Sequence, residues 1–170
     1  MILRQYRESD LRDIKPRYDI SIDPSTIEAA LAASMGMAYT LWTDRPAMIM
    51  GFNILWPGVA QSWAISSDAI RGYGLYATRV AKSLMIAIAI ENQIRRYHCI
   101  VNAQLQENVR WVEALRYQLE GVMHEAAPDG SDLYIYVKWF RHLGGQNGRW
   151  AVSTKNRLQR DVAELFGMDA

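Results

Sequence analysis

Apolar positions along this chain switch between a period of two and a period of 3.6, and the switches mark out its elements. Residues 2–6 alternate as a short strand, and Ser9 is placed to cap a brief helix through Leu11 and Ile14 that Pro16 stops. Ser25 with Glu28 forms a capping box, with Asp23-Pro24 just ahead as an alternative cap. Ile27 and Leu31 then give an apolar stripe up to about Met35. Residues 38–43 and 47–56 flank Asp44-Arg45-Pro46, the turn of an antiparallel hairpin, and Pro57-Gly58 turns the chain into a further strand at 59–66.

From residue 74 to 97 apolar side chains lie nearly all round (Val80, Leu84, Met85, Ile88, Ile94), the pattern of a helix pressed on a sheet and covered on its flanks. A buried strand at 99–104, opening on Cys99-Ile100-Val101, would then lie parallel to the strand at 59–66. Residues 107–119 carry Val109, Val112, Leu115 and Leu119 at helical spacing up to Gly121. A last hairpin, 122–125 with 133–140, encloses Ala127-Pro128-Asp129-Gly130. The predicted order is β-α-α-β-β-β-α-β-α-β-β over a domain at 1–140. A glycine-rich linker follows at 141–152. A helix at 153–170 follows it, capped by Ser153, with Leu158, Val162, Leu165 and Phe166 on one side. That helix either folds back on its own domain or acts as an arm that docks on another chain.

Composition narrows the classes. The 170 residues, half of them apolar, suit one core, and a net charge of +1 gives no general pull toward nucleic acid or an anionic membrane. Cys99 is the only cysteine, which excludes an internal disulfide and a thiolate zinc site, and the three histidines, His98, His124 and His142, lack ligand spacing. No metal is expected. Residues 1–7 lack the pattern of a secretory signal, and the longest apolar run, 84–90, is too short to span a bilayer, so neither secretion nor membrane insertion is expected, and the lone cysteine fits a reducing cytoplasm.

The stretch Arg71-Gly72-Tyr73-Gly74-Leu75-Tyr76 joins the strand at 59–66 to the long helix. A glycine turn at a helix start leaves backbone N–H groups unpaired at the positive end of the helix dipole, a cradle for pyrophosphate. The alternative is a plain strand-to-helix turn.

With that element order, the turn resembles the pyrophosphate motif of the GNAT superfamily of acyl-CoA-dependent N-acetyltransferases, Q/R-x-x-G-x-G/A, with Arg71 and Gly74 matching and Tyr76 replacing the final small residue. The resemblance covers residues 2–140. It implies an α/β (α+β) fold with a mixed, mostly antiparallel sheet around a central helix, two splayed strands at 59–66 and 99–104, and acetyl-CoA in the gap. It places Ile65, Arg71, Gly72, Tyr73, Gly74 and Leu75 against the cofactor. A backbone N–H near Ile65 or Ser66 would stabilise the oxyanion, and Asp68 or a water would act as base. The family often carries N-x-x-A-x-x-x-Y-x-x-x-G-F on the helix after the fifth strand. Setting Tyr117 on the final phenylalanine puts Val112 where the acidic tyrosine stands and Arg116 where the glycine stands. Tyr76 or Tyr73 would have to replace that acid, and Tyr76 would crowd the phosphate turn, so slow or absent transfer is expected.

A narrower resemblance runs to the GNAT-like internal virion proteins of short-tailed phages. It rests on Ser9-Asp10-Leu11-Arg12-Asp13, Met50-Gly51-Phe52, Trp63-Ala64-Ile65-Ser66, Arg110-Trp111 and the aromatic strand Leu133-Tyr134-Ile135-Tyr136. It implies a second function, a non-catalytic assembly protein whose scaffold and C-terminal arm contact other virion proteins or another copy of itself. Among the remaining candidates, Asp68 and Glu125 read as solvated strand-end carboxylates or as a base, His98 as a part-buried polar residue, and Cys99 as a packed apolar side chain. Trp42, Trp56 and Trp63 read as cover for the core or the sheet edge.

Overall fold

The computed structural model describes residues 1–17, 31–32 and 36–140. Seven strands form one sheet in the order β1-β2-β3-β4-β5-β7-β6. They are β1 Ile2–Gln5, β2 Ala38–Trp42, β3 Pro46–Trp56, β4 Val59–Ser66, β5 Arg96–Asn102, β6 Gln118–Met123 and β7 Leu133–Trp139. Every neighbouring pair is antiparallel except β4 with β5. The helices are α1 Glu8–Asp13, α2 Gly74–Glu91 and α3 Gln106–Ala114, with a 3-10 turn at Asp68–Ile70. The mixed, mostly antiparallel sheet with a central helix matches the fold class expected from the sequence.

Strand β3 is buried from Pro46 to Asn53, as a strand covered on both faces must be. Against one face α2 buries Ala77, Val80, Ala81, Leu84, Met85, Ile88 and Ala89, which pack with Leu41, Phe52, Tyr97 and Tyr136. Each large aliphatic side chain so buried contributes about 1.5–3 kcal/mol. On the opposite face Ile14, Ile49 and Ile65 form a smaller cluster with Tyr6, Leu11 and Trp63 around it.

The N-cap of helix α1 is Arg7, two residues before the Ser9 cap read from the sequence. The Asp10 carboxylate takes the Arg7 backbone N–H at 3.0 Å, so the acceptor comes from inside the first turn. Asp10 is fully buried and also accepts from Thr40 Oγ1 at 2.6 Å and from Arg4 Nη2, tying α1 to β1 and β2.

Three boundaries differ from expectation for identifiable reasons. Helix α2 stops at Glu91, not near Tyr97, because Asn92 returns its N–H and its side-chain Nδ2 to Ile88 O and Gln93 turns left-handed at φ 54°. Arg96 and Tyr97 are thereby freed to open β5, which ends at Asn102 instead of Gln104. Helix α3 ends at Ala114 because Arg116 adopts φ 68°, and Gly121 lies at a bulge inside β6 instead of closing a helix. The helix expected before Met35 falls mostly on residues 18–30 and 33–35, and the linker and terminal helix on 141–170; these lie outside the described residues.

Candidate functional site: the gap between the parallel strands

β4 and β5 are joined by only three residue pairs, Val59 with Arg96, Ala60 with Tyr97 and Gln61 with His98. Beyond them β4 continues to Ser66 on β3 alone, and β5 continues to Asn102 on β7 alone. The sheet therefore opens at Ser62. Two of the three β5 partners, Arg96 and Tyr97, lie where the sequence predicts the end of the helix, so the parallel neighbour matches expectation but its register does not.

Which backbone groups face the gap follows from the antiparallel alternation. Phe52 N–H donates toward β2, to Met37 O, while Ser67 N–H donates to Ala47 O. Residues 47, 49, 51 and 53 of β3 thus turn to β4, and their partners Ile65, Trp63 and Gln61 turn to β3. The N–H and C=O groups of Ser62, Ala64 and Ser66 point the other way, toward β5; the Gln61–His98 pair takes the Ser62 N–H, which leaves the Ser62 carbonyl and the groups of Ala64 and Ser66 facing the gap. Ile65 N–H is spent in the β3 ladder, while Ser66 N–H faces the gap. The Ser66 carbonyl accepts Arg17 N–H at 2.8 Å. The side chains of this set face α2, as shown by Ser62 Oγ, which lies 2.7 Å from Tyr117 OH, itself 3.3 Å from Met85 Sδ on α2. All three are small, and Ala64 is exposed in the middle of a central strand.

Above the gap the chain makes the 3-10 turn and enters α2. Gly72 takes φ 82°, a left-handed conformation that favours glycine. Arg71 N–H bonds to Asp68 O and Tyr73 N–H to Ile70 O, and helical bonding resumes with Ala77 N–H to Tyr73 O at 2.9 Å. The N–H groups of Gly74, Leu75 and Tyr76 are the first three of the helix and have no backbone acceptor among the described residues. No acidic residue stands in this first turn. A Cβ built on Gly74 or Gly72 would meet nothing within 4 Å, so the space in front of these groups is open. Leu75 and Tyr73 are exposed, and Tyr76 packs partly against the core instead of crowding the turn. A diphosphate fits this cradle: free donors, the dipole's positive end and no competing carboxylate in the turn.

At the mouth, Arg71 Nε lies 2.9 Å from Asp68 Oδ1, and Arg17 bridges Asp68 at 3.5 Å and Glu107 at 2.5 Å. These residues, with 104–106, line an open cavity of about 410 Å³. Asp68 thus sits at the rim in a network with two arginines, while Glu125 lies in the β6–β7 turn at φ 52°, its N–H on Asp132 Oδ1. Arg17 was missed from the sequence, where it is one more charged residue after a proline.

Val112 is buried in the core, and the neighbouring Trp111 ties α3 to α2 through Nε1 to Thr78 Oγ1 at 3.1 Å. The left-handed Arg116 stands where the resembled motif has its glycine, which supports the register that assigns Val112 to the tyrosine position. Burial raises the Tyr117 phenol well above its usual range and pushes the Cys99 thiol up to about 12. His98, on the opposite face, is held below its usual value by burial and by the Arg96 charge. Among the described residues no cluster of three or more His, Cys, Asp or Glu could hold a metal, and no helix is long and apolar enough to cross a membrane.

A seven-stranded sheet parted between β4 and β5, with a glycine turn and helix at the open end, is the fold of GNAT acetyltransferases. Solved structures agree. The Ard1 protein from Thermoplasma volcanium superposes with a TM-score of 0.66 at 11% identity, over 81% of this chain and 95% of that one. A GNAT-family acetyltransferase from Bacillus anthracis gives 0.61 at 13% identity, over 81% and 93%. RimL, a ribosomal L7/L12 alpha-N-protein acetyltransferase solved with coenzyme A, gives 0.56 at 19% identity, over 68% and 70%. No family model matches the sequence, and neither does any curated protein sequence.

Proposed function

We propose that this protein binds an acyl-CoA in the gap between β4 and β5 and passes its acetyl group, slowly, to an amine. The observation that carries the reading is the presence of two sets of free donors, the N–H groups of residues 74–76 at the turn and those of Ala64 and Ser66 along the gap. The first set, with Arg71 alongside, holds a diphosphate. The second offers an extended amide-bearing arm the edge of a strand, and the N–H of Ala64, deeper in the gap than Ser66, is the donor for the oxyanion. Bound acetyl-CoA would supply the activated acyl group as a thioester. A water in the gap, with Asp68 at the mouth as its acceptor, takes the proton from the amine.

Titration with acetyl-CoA tests the reading, and saturable binding that is weakened by Gly74→Val is expected. Absence of binding to the intact protein would overturn it. Turnover is expected to lag about 100-fold to 10,000-fold behind what a general acid would permit, because Val112 offers no proton. Neither Tyr73→Phe nor Tyr76→Phe should change it, since one ring is exposed and the other packs on the core.

The same buried Val112 favours a second reading, a GNAT scaffold that retains the gap without catalysis and serves assembly. Binding without measurable transfer would support it. The partners foreseen for that role, other virion proteins or a second copy, depend on residues 141–170. Two of the structures compared above are acetyltransferases by description, and none of the three lends the phage grouping support.

A further inference from the structure

We propose that the Ser62 hydroxyl, backed by the buried hydroxyl of Tyr117, is a hydrogen-bond donor for the sulfur of the acyl donor. The inference rests on the acyl-CoA reading above and adds a residue that the family resemblance does not supply.

Ser62 is the first β4 residue beyond the last parallel pair, so it stands at the closed apex of the gap, with its side chain on the α2 side. From Ser66, at the open end, to Ser62 the strand descends four residues, or about 13 Å at the rise of a β-strand. An extended pantetheine arm, with about as many backbone bonds as four residues of peptide, spans that depth from a diphosphate held level with Ser66.

Two hydroxyls meet at the apex, one of them buried. Ser62 Oγ and Tyr117 OH are 2.7 Å apart, and the phenol can donate to Met85 Sδ at 3.3 Å or back to Ser62. Tyr117 is 5% exposed, while Ser62 is only part-buried, so the outward side of the pair belongs to Ser62. When the phenol donates to Ser62 Oγ, the serine O–H is released toward the gap. The result is a directed chain, Tyr117 O–H to Ser62 Oγ and Ser62 O–H to sulfur, in which each bond polarises the next.

The chain moves no proton. As the amine forms its C–N bond and the C–S bond breaks, the thiolate receives a hydrogen bond, and its proton comes later from solvent. Burial keeps the phenol protonated through the working range, so the donor stays a donor. This fits a site in which Val112 offers only methyl groups.

The test compares coenzyme A with desulfo-coenzyme A, and follows the thiolate absorption of bound coenzyme A against pH. In the wild-type protein the thiol form should bind about tenfold more tightly than the desulfo form at a pH where the thiol ionises, as one charge-assisted hydrogen bond allows. Ser62→Ala should abolish that preference and raise the apparent thiol pKa while leaving desulfo-coenzyme A affinity unchanged. Tyr117→Phe, which keeps the ring, should give part of both effects. An unchanged preference and thiol pKa in folded Ser62→Ala would overturn the inference and leave the acyl-CoA reading standing. If neither ligand bound the wild-type protein, the acyl-CoA reading and this inference would fall together.

Discussion

The two ends of the β4–β5 seam are built in opposite ways. At the closed end Tyr97 is fully buried, packs edge-to-face on Phe52 at 5.7 Å and on Phe140 at 5.6 Å, and donates its hydroxyl to Met85 O. There Gly58 O accepts both Arg95 N–H and Arg96 N–H. At the open end Ala64 is exposed, Ile100 is 46% exposed, and charged side chains ring the mouth. The closed end spends its groups on one another, whereas the open end leaves backbone donors free. Mutations at the first should therefore change stability, and mutations at the second should change binding.

The largest loss is expected from Tyr97→Ala. It removes an aromatic ring from three elements at once and should cost about 3–5 kcal/mol in denaturant unfolding. Next comes Gly51→Ala on β3, one strand removed from the gap and on the face away from α2. A Cβ there would come within 2.2 Å of Trp63 Cζ2, because the indole lies across Gly51 and reaches Asn53 Oδ1 with its Nε1 at 3.2 Å. Displacing so large a ring should cost about 1–3 kcal/mol, again read by unfolding. A smaller loss would show that the indole can swing aside and that the two faces of the sheet are less rigidly coupled.

Gly74→Val sharpens the comparison from the other end. Gly74 has no left-handed φ and no neighbour within 4 Å of a built Cβ, so unfolding should shift by about 1 kcal/mol or less, the scale of helix-propensity changes. Coenzyme A binding should weaken at least about tenfold, since the valine side chain fills the space before the free N–H groups. Equal losses of stability and binding would mean that the turn is structural and not a cradle.

The contrast also explains what the sequence could disclose. The periodicities located β1 to β4, β7 and the start of α2, because apolar alternation and a glycine turn are local signals. They set β5 and β6 late, at 99 and 122 instead of Arg96 and Gln118. The ends of α2 and α3 were overrun because Ile94, Tyr97, Tyr117 and Leu119 continue an apolar pattern whose termination is set by left-handed backbone at Gln93 and Arg116, residues with no obvious turn signature. The cradle at residues 71–76 was legible as a motif. The gap-facing set was not, since choosing Ser66 over Ile65 requires the β3–β4 register. Arg17 and the Ser62–Tyr117 pair arise from contacts between segments 50 or so positions apart and leave no local trace.

The smallest effect concerns pH at the closed end. Lys138, opposite Tyr97 in the β5–β7 ladder, donates to Leu115 O at 2.5 Å and lies by the rings of Tyr117 and Phe140. Burial lowers its pKa to about 8, and the nearby charges of Lys82 and Arg116 add to the shift. In the unfolded chain a lysine keeps its proton to about 10.4, so above pH 8 the unfolded state binds more protons than the folded one and stability rises with pH. The rise is clearest between about pH 8 and 9. Above that the unfolded thiol of Cys99 ionises while the buried one, at about 12, does not, and this opposes the lysine. Because Lys138 is partly exposed, the gain over that single unit should be on the order of 0.5 kcal/mol after solvent screening. Unfolding measured at both pH values, for wild type and for Lys138→Met, checks it: the wild type should gain stability and the variant should stay flat or decline. A rise that persists in Lys138→Met would assign the dependence to another group and leave the closed end without a titrating element.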